Sequence, residues 1–235
     1  MMTMKSMPDS SSGSAQTPAS LEHRVLAPEA EAPAPHPTLV MLHGRGSDEE
    51  DLIGLAAAFD PSLMIVSARA PFPFPYGGGF TWYDANPIGT PDPEMFRRSC
   101  DLLSQFVDET MRAYPVDPAR LYLLGFSMGT VMSYAIALTR PGLFRGVIAN
   151  SGYVPEGTHL DLRWSEAHRT PFFIAHGTAD PVLPLAMGRR AKKLFEDAHG
   201  TFEYREYPMA HEISQESLRD SAAFLDRLLK KQPAA

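Results

Sequence analysis

A serine set between glycines, an aspartate further on and a late histidine are the residues here whose types and order could do chemistry. Gly125-Phe126-Ser127-Met128-Gly129 follows the apolar run 120–124 and opens a helical pattern. A serine hydroxyl is a poor nucleophile until a base takes its proton. Glycines on both sides permit the sharp strand-to-helix turn that lifts such a hydroxyl clear of a sheet. The helix N-terminus behind it points unpaired N–H groups at any developing oxyanion. The chemistry implied is acyl transfer through a covalent intermediate. The plainer reading, Ser127 as a helix cap, requires neither glycine.

A nucleophile of this kind needs a histidine, and the histidine needs a carboxylate to fix its tautomer; after such a turn the chain order is serine, acid, histidine. His211, in Tyr207-Pro208-Met209-Ala210-His211-Glu212, follows the last strand pattern and precedes the final helix. The other downstream histidines have duller readings. His199 stands beside Gly200 at a helix end, His168 lies in an irregular polar stretch, and His176 ends a strand, where a place near the site is one reading and packing or hydrogen-bonding in the turn the preferred one. For the acid, Asp180 in His176-Gly177-Thr178-Ala179-Asp180-Pro181-Val182-Leu183-Pro184 follows a buried strand and a glycine turn. Its rival Asp161 has no clear strand before it. A turn or cap role is the plain alternative for Asp180.

The first strong strand runs into Leu42-His43-Gly44-Arg45-Gly46-Ser47-Asp48. A glycine-rich turn there can donate a backbone N–H, so the expected oxyanion donors are the N–H groups of Arg45 and Met128. His43, placed before that loop, is read as making an orienting hydrogen bond. The Arg45 side chain either attracts an acidic substrate group or is simply solvated. Between Pro71 and Tyr83 an aromatic-rich segment surrounds Gly77-Gly78-Gly79, and Trp82 and Tyr83 are the expected substrate-pocket residues.

These groups must be carried by elements that bring loops to one edge. Short apolar runs at 38–42, 64–67, 120–124, 146–150, 172–176 and 202–206 read as strands buried on both faces. Helical periodicity appears at 94–113, 128–139, 186–198 and 215–229, and in a segment after Ser47 whose Ser47-Asp48-Glu49-Glu50 has the form of a capping box. Such alternation predicts a doubly wound α/β sheet, in which reactive groups gather on loops at the carboxyl ends of strands. Each of the singled-out residues falls there.

Composition bounds the rest. The 235 residues suit one domain, expected over 21–235, behind a Ser-, Met- and Pro-rich tail at 1–20 read as disordered. A net charge of −7, with basic pairs only on helix-like stretches, predicts no nucleic-acid partner. Cys100 is the only cysteine, on a stripe with Phe96, Leu103, Val107 and Met111, which suits a core position. No apolar run approaches bilayer length and no secretory leader is evident, so a cytoplasmic location without integral membrane association is expected. No metal-ligand spacing occurs, and no metal is expected.

Taken together and in order, the four loop motifs around Arg45, Ser127, Asp180 and His211 resemble those of the phospholipase/carboxylesterase family of α/β-hydrolases, over about 25–229. That family includes acyl-protein thioesterases and small bacterial carboxylesterases. The resemblance implies an α/β-hydrolase fold, with a mostly parallel sheet, helices on both faces and no large cap domain. It implies a cofactor-independent esterase, often a homodimer, with the triad Ser127, Asp180 and His211. Many thioesterase-type members carry Gln after the nucleophile and Gly before the histidine, where this chain has Met128 and Ala210. The expectation is therefore a carboxylesterase acting on small to medium apolar acyl or aryl esters. An acyl-thioesterase or lysophospholipase with the same triad is the alternative, and a non-catalytic binding protein on a hydrolase scaffold is the rival from another class.

Overall fold

A computed structural model describes residues 20–29, 33–85 and 87–231. The expected tail at 1–20 lies outside them apart from Ser20. The chain runs β1 (His23–Leu26), β2 (His36–Leu42), β3 (Met64–Ala68), a small hairpin β4 (Phe72–Pro73) and β5 (Phe80–Thr81), then α1 (Pro93–Ala113). It continues through β6 (Val116–Phe126), α2 (Met128–Thr139), β7 (Gly146–Asn150), β8 (Phe172–Gly177), α3 (Leu185–Asp197), β9 (Phe202–Tyr207) and α4 (Gln215–Lys230). Seven strands form one sheet in the order β1-β3-β2-β6-β7-β8-β9, parallel except for β1.

Period-two alternation along the strands separates two cores. Val40, Leu42, Val66, Leu121, Leu123 and Val147 point to the face covered by α1, α2 and α3, where Phe96, Val131 and Phe195 meet them. Leu39, Met41, Ile65, Leu124, Ile148 and Phe173 point to the other face, against Phe224, Leu225 and Leu228 of α4. Both faces of β3, β7 and β8 are thus buried, which is why their sequences read as unbroken apolar runs. Helix α2 is buried on nearly every side, lying between the sheet and α1. Among the described residues the connections hold only the hairpin and two 3-10 segments, Leu52–Ala58 and Trp164–Arg169, and no cap domain. No helix among them is long and apolar enough to cross a membrane.

Two expectations are corrected. Edge strand β1 has no counterpart among the predicted strands: it is four residues long, alternately half-buried and exposed, and too short for periodicity to reveal. The capping box does not form. Ser47 is drawn into a bridge with Phe80, whose N–H donates to the Ser47 carbonyl at 2.7 Å, while Glu50 pairs with Arg24 at 2.8 Å. With the Glu50 carboxylate on Arg24 and the Glu50 N–H donating to Asp48 Oδ1 at 3.0 Å, neither bond of the box is made, and the segment that follows is a 3-10 turn rather than an α-helix.

Candidate active site

Ser127 occupies the turn between β6 and α2 with φ 54° and ψ −116°, a left-handed backbone that costs a non-glycine residue about 1–3 kcal/mol. Surrounding bonds hold it there. The Ser127 N–H donates to the Asn150 carbonyl at 3.0 Å, and Thr130 Oγ1 donates to the same oxygen at 2.7 Å. The flanking glycines are required by contact as well. A Cβ on Gly129 would lie 1.9 Å from the Leu42 carbonyl oxygen, and one on Gly125 2.5 Å from that of Gly129. The turn closes only because α2 can press its first residues onto the end of β2.

The loops after β8 and β9 are zipped together. Thr178 N–H donates to Tyr207 O at 2.8 Å and Ala179 N–H to Met209 O at 3.2 Å; a Cβ on Gly177 would meet the Ala210 carbonyl at 2.3 Å. This zipper brings Asp180 Oδ2 to 2.7 Å from His211 Nδ1, and His211 Nε2 lies 2.8 Å from Ser127 Oγ. Asp180 Oδ1 accepts from the N–H groups of Val182 at 2.9 Å and Leu183 at 2.8 Å. Burial pushes the Asp180 carboxyl upward, but the hydrogen bonds from His211, Leu183 and Val182 outweigh it and hold the group below the usual carboxylate value. An ionised Asp180 can only accept, so His211 Nδ1 carries the proton and Nε2 is left to accept from the Ser127 hydroxyl.

His43 stands under the first loop with Nδ1 2.6 Å from the Gly44 carbonyl, and its Nε2 accepts from Ala70 N–H at 3.0 Å. Burial lowers its pKa, so the ring stays neutral and orients the loop. Gly46 N–H is spent on the Phe80 carbonyl at 2.8 Å. Among the described residues the N–H groups of Arg45 and Met128 have no protein acceptor. Both residues line, with Ser127, a cleft whose apolar side is Ile88, Val182 and Leu183.

Of the two aromatic residues expected in the pocket, Tyr83 lines this cleft and Trp82 does not. Trp82 is fully buried, and its Nε1–H donates to the His43 carbonyl at 3.0 Å while Ser99 Oγ donates to the Trp82 carbonyl. An indole N–H needs a buried acceptor, and the one it finds makes it a brace behind the loop. One residue escaped the sequence reading of the site. Tyr153 lines the cleft, its hydroxyl 3.1 Å from that of Tyr83; its place just after β7 was the available signal. His176 was read as a turn residue, and indeed its Nε2 donates to the Leu183 carbonyl at 2.9 Å, but it also lies 3.7 Å from Asp180 Oδ2.

Residues 23–229 match the family model described as phospholipase/carboxylesterase. The chain belongs to that family. Acyl-protein thioesterase 1 of Debaryomyces hansenii is 30% identical over 181 residues, covering 72% of this chain and 78% of its own length. Acyl-protein thioesterase 1 of Kluyveromyces lactis is 31% identical over 210 residues, covering 82% and 92%. Among solved structures, the Bacillus cereus carboxylesterase superposes with a TM-score of 0.75 at 23% identity, over 88% of this chain and 94% of that one, a likeness of fold.

Membership of the phospholipase/carboxylesterase family makes this chain a hydrolase of the ester-cleaving kind. Within that family frame, Met128 is accommodated by Thr81, whose Oγ1 lies 3.4 Å from the Met128 sulfur. A thioether there gives the cleft an apolar side chain next to Ser127, where an amide would add donors and acceptors.

Proposed function

We propose that this protein is a serine carboxylesterase in which Ser127 is the nucleophile, His211 the general base and Asp180 its orienting acid. The observation that carries the reading is the unbroken pair of hydrogen bonds, 2.7 Å from Asp180 to His211 and 2.8 Å from His211 to Ser127. In the first step His211 Nε2 takes the Ser127 proton as Oγ bonds to the ester carbonyl carbon. The oxyanion rests on the N–H groups of Arg45 and Met128, and the alcohol leaves with the proton His211 holds. Water, activated by the same imidazole, then releases the acid. Asp180 stabilises the transient imidazolium without itself taking the proton. No step calls on a cofactor.

The apolar side of the cleft, Ile88, Val182 and Leu183, supports small to medium acyl groups. A thioesterase reading draws support from the names of the fungal relatives, and the chemistry would run on the same three side chains. Ser127→Ala, assayed on a panel of 4-nitrophenyl esters and acyl thioesters, tests the proposal: turnover of the preferred substrate falls by several orders of magnitude. A folded variant that keeps wild-type turnover refutes it.

A further inference from the structure

The cleft over Ser127 has a cation and no carboxylate among its lining residues, in a chain whose net charge is −7. Other arginines of the molecule are neutralised: Arg69 by Glu49, Arg140 by Asp108, Arg190 by Glu156. Arg45 forms no ion pair among the described residues; its guanidinium stands 5.7 Å from the centroid of the Phe74 ring, which leaves the charge in place. The loop beneath it is fixed by the Gly46 and His43 hydrogen bonds.

A second donor faces the same space. Tyr83 is fully buried and its hydroxyl is 3.1 Å from that of Tyr153, which is 9% exposed at the cleft wall. Two phenols hold two protons, and one hydrogen bond between them uses one. The buried Tyr83 can reach only Tyr153, so the Tyr153 proton is the one left for the cleft. Burial raises the pKa of both hydroxyls, so both keep their protons, and Arg45 lines the same cleft as the two phenols.

Arg45, exposed and without an ion pair among the described residues, and Tyr153, with its spare O–H, thus line one cleft together with Ser127. We infer that the acyl pocket takes esters whose acid part ends in a second carboxylate, monoesters of short dicarboxylic acids, held by the Arg45 guanidinium and the Tyr153 hydroxyl. This rests on Ser127 being the nucleophile. The Ser127 Oγ–acyl carbon bond forms as the acyl carbon–alkoxy bond breaks, and the alcohol departs with the serine proton. Water then cleaves the acyl-enzyme to give the dicarboxylate, one proton and free serine. The anionic end stays bound through both steps because it belongs to the acyl half.

The test compares kcat/KM for the monoethyl esters of succinic, glutaric and adipic acids with neutral isosteres in which an isopropyl group replaces the carboxylate. For at least one length the wild-type ratio favours the anionic ester about tenfold, the scale of a charge-assisted hydrogen bond at a partly exposed site. Arg45→Gln, which keeps the backbone N–H, lowers that ratio about tenfold; Arg45→Lys recovers part of it, and Tyr153→Phe lowers it less. Moving the charge to the alcohol half, in phosphoethyl butyrate, gives no advantage. A ratio that favours the neutral ester at every length, that is unmoved by Arg45→Gln, or that is matched by the alcohol-side anion overturns the inference alone. Folded wild-type protein that hydrolyses no ester overturns the Ser127 reading, and this inference with it.

Discussion

Replacing Asp180 by Asn changes one atom and reverses the direction of a hydrogen bond. Asp180 accepts from His211 Nδ1 at 2.7 Å through Oδ2, while Oδ1 takes the Val182 and Leu183 N–H groups at 2.9 and 2.8 Å. Two backbone donors need an oxygen, so the new amide keeps its oxygen on them and turns its NH2 toward His211. The imidazole must then accept at Nδ1 and carry its proton on Nε2, facing Ser127 with a donor where the reaction needs an acceptor. The fold is preserved and the base is disabled, so kcat falls by about 10⁴, the loss expected when a triad histidine is held in the wrong tautomer. The assay is steady-state turnover of a 4-nitrophenyl ester alongside thermal unfolding. A second readout follows from linkage. The folded Asp180 pKa lies below its unfolded value, so the ionised group contributes stability that is present above the usual carboxylate range and lost as pH falls through the lowered value. The gap in Tm between wild type and Asp180→Asn is therefore full at neutral pH and narrows below about pH 4. A folded variant whose kcat stays within about tenfold of wild type would show that Asp180 does not set the tautomer.

Further outcomes follow from packing. Gly129→Ala drives a methyl to 1.9 Å from the Leu42 carbonyl, whereas a Cβ on Gly54 meets nothing within 4 Å. The first should lose about 3 kcal/mol or fail to fold while Gly54→Ala unfolds near wild type, and denaturant melts with equal midpoints would contradict the clash. Trp82→Phe leaves the buried His43 carbonyl without its donor and should cost about 1–3 kcal/mol, with kcat reduced as the Arg45 loop loosens; unchanged Tm and kcat would remove Trp82 from the bracing role. The Cys100 thiol is pushed up to about 12 by burial, so it should resist a thiol-exchange reagent at neutral pH until the protein unfolds. Rapid reaction of the native protein would place that thiol in solvent.

Most of the sheet was legible because strands buried on both faces leave unbroken apolar runs: the run 146–150 coincides with β7 and 128–139 with α2. Ser127, Asp180 and His211 stood out because each follows its own strand, and a doubly wound sheet collects such loops at one edge. What escaped depended on partners distant in sequence. Trp82 and Tyr83 are adjacent aromatics, and only the fold shows that one donates to His43 while the other meets Tyr153, 70 residues away. Ser47 and Glu50 have capping-box spacing, but Arg24 takes the Glu50 carboxylate and Asp48 the Glu50 N–H. His176 looked like a strand-end residue until the acid loop folded back over it, with Gly188 making room on α3: a Cβ there would lie 2.8 Å from the imidazole.

The claim at the centre is that Ser127 becomes covalently acylated, and a fluorophosphonate adduct mapped by peptide mass spectrometry tests it most directly. The expected result is a single adduct on Ser127, formed at a rate that parallels loss of esterase activity and absent from Ser127→Ala. An adduct on another serine, or full esterase activity surviving in protein that carries no adduct at Ser127, would contradict it.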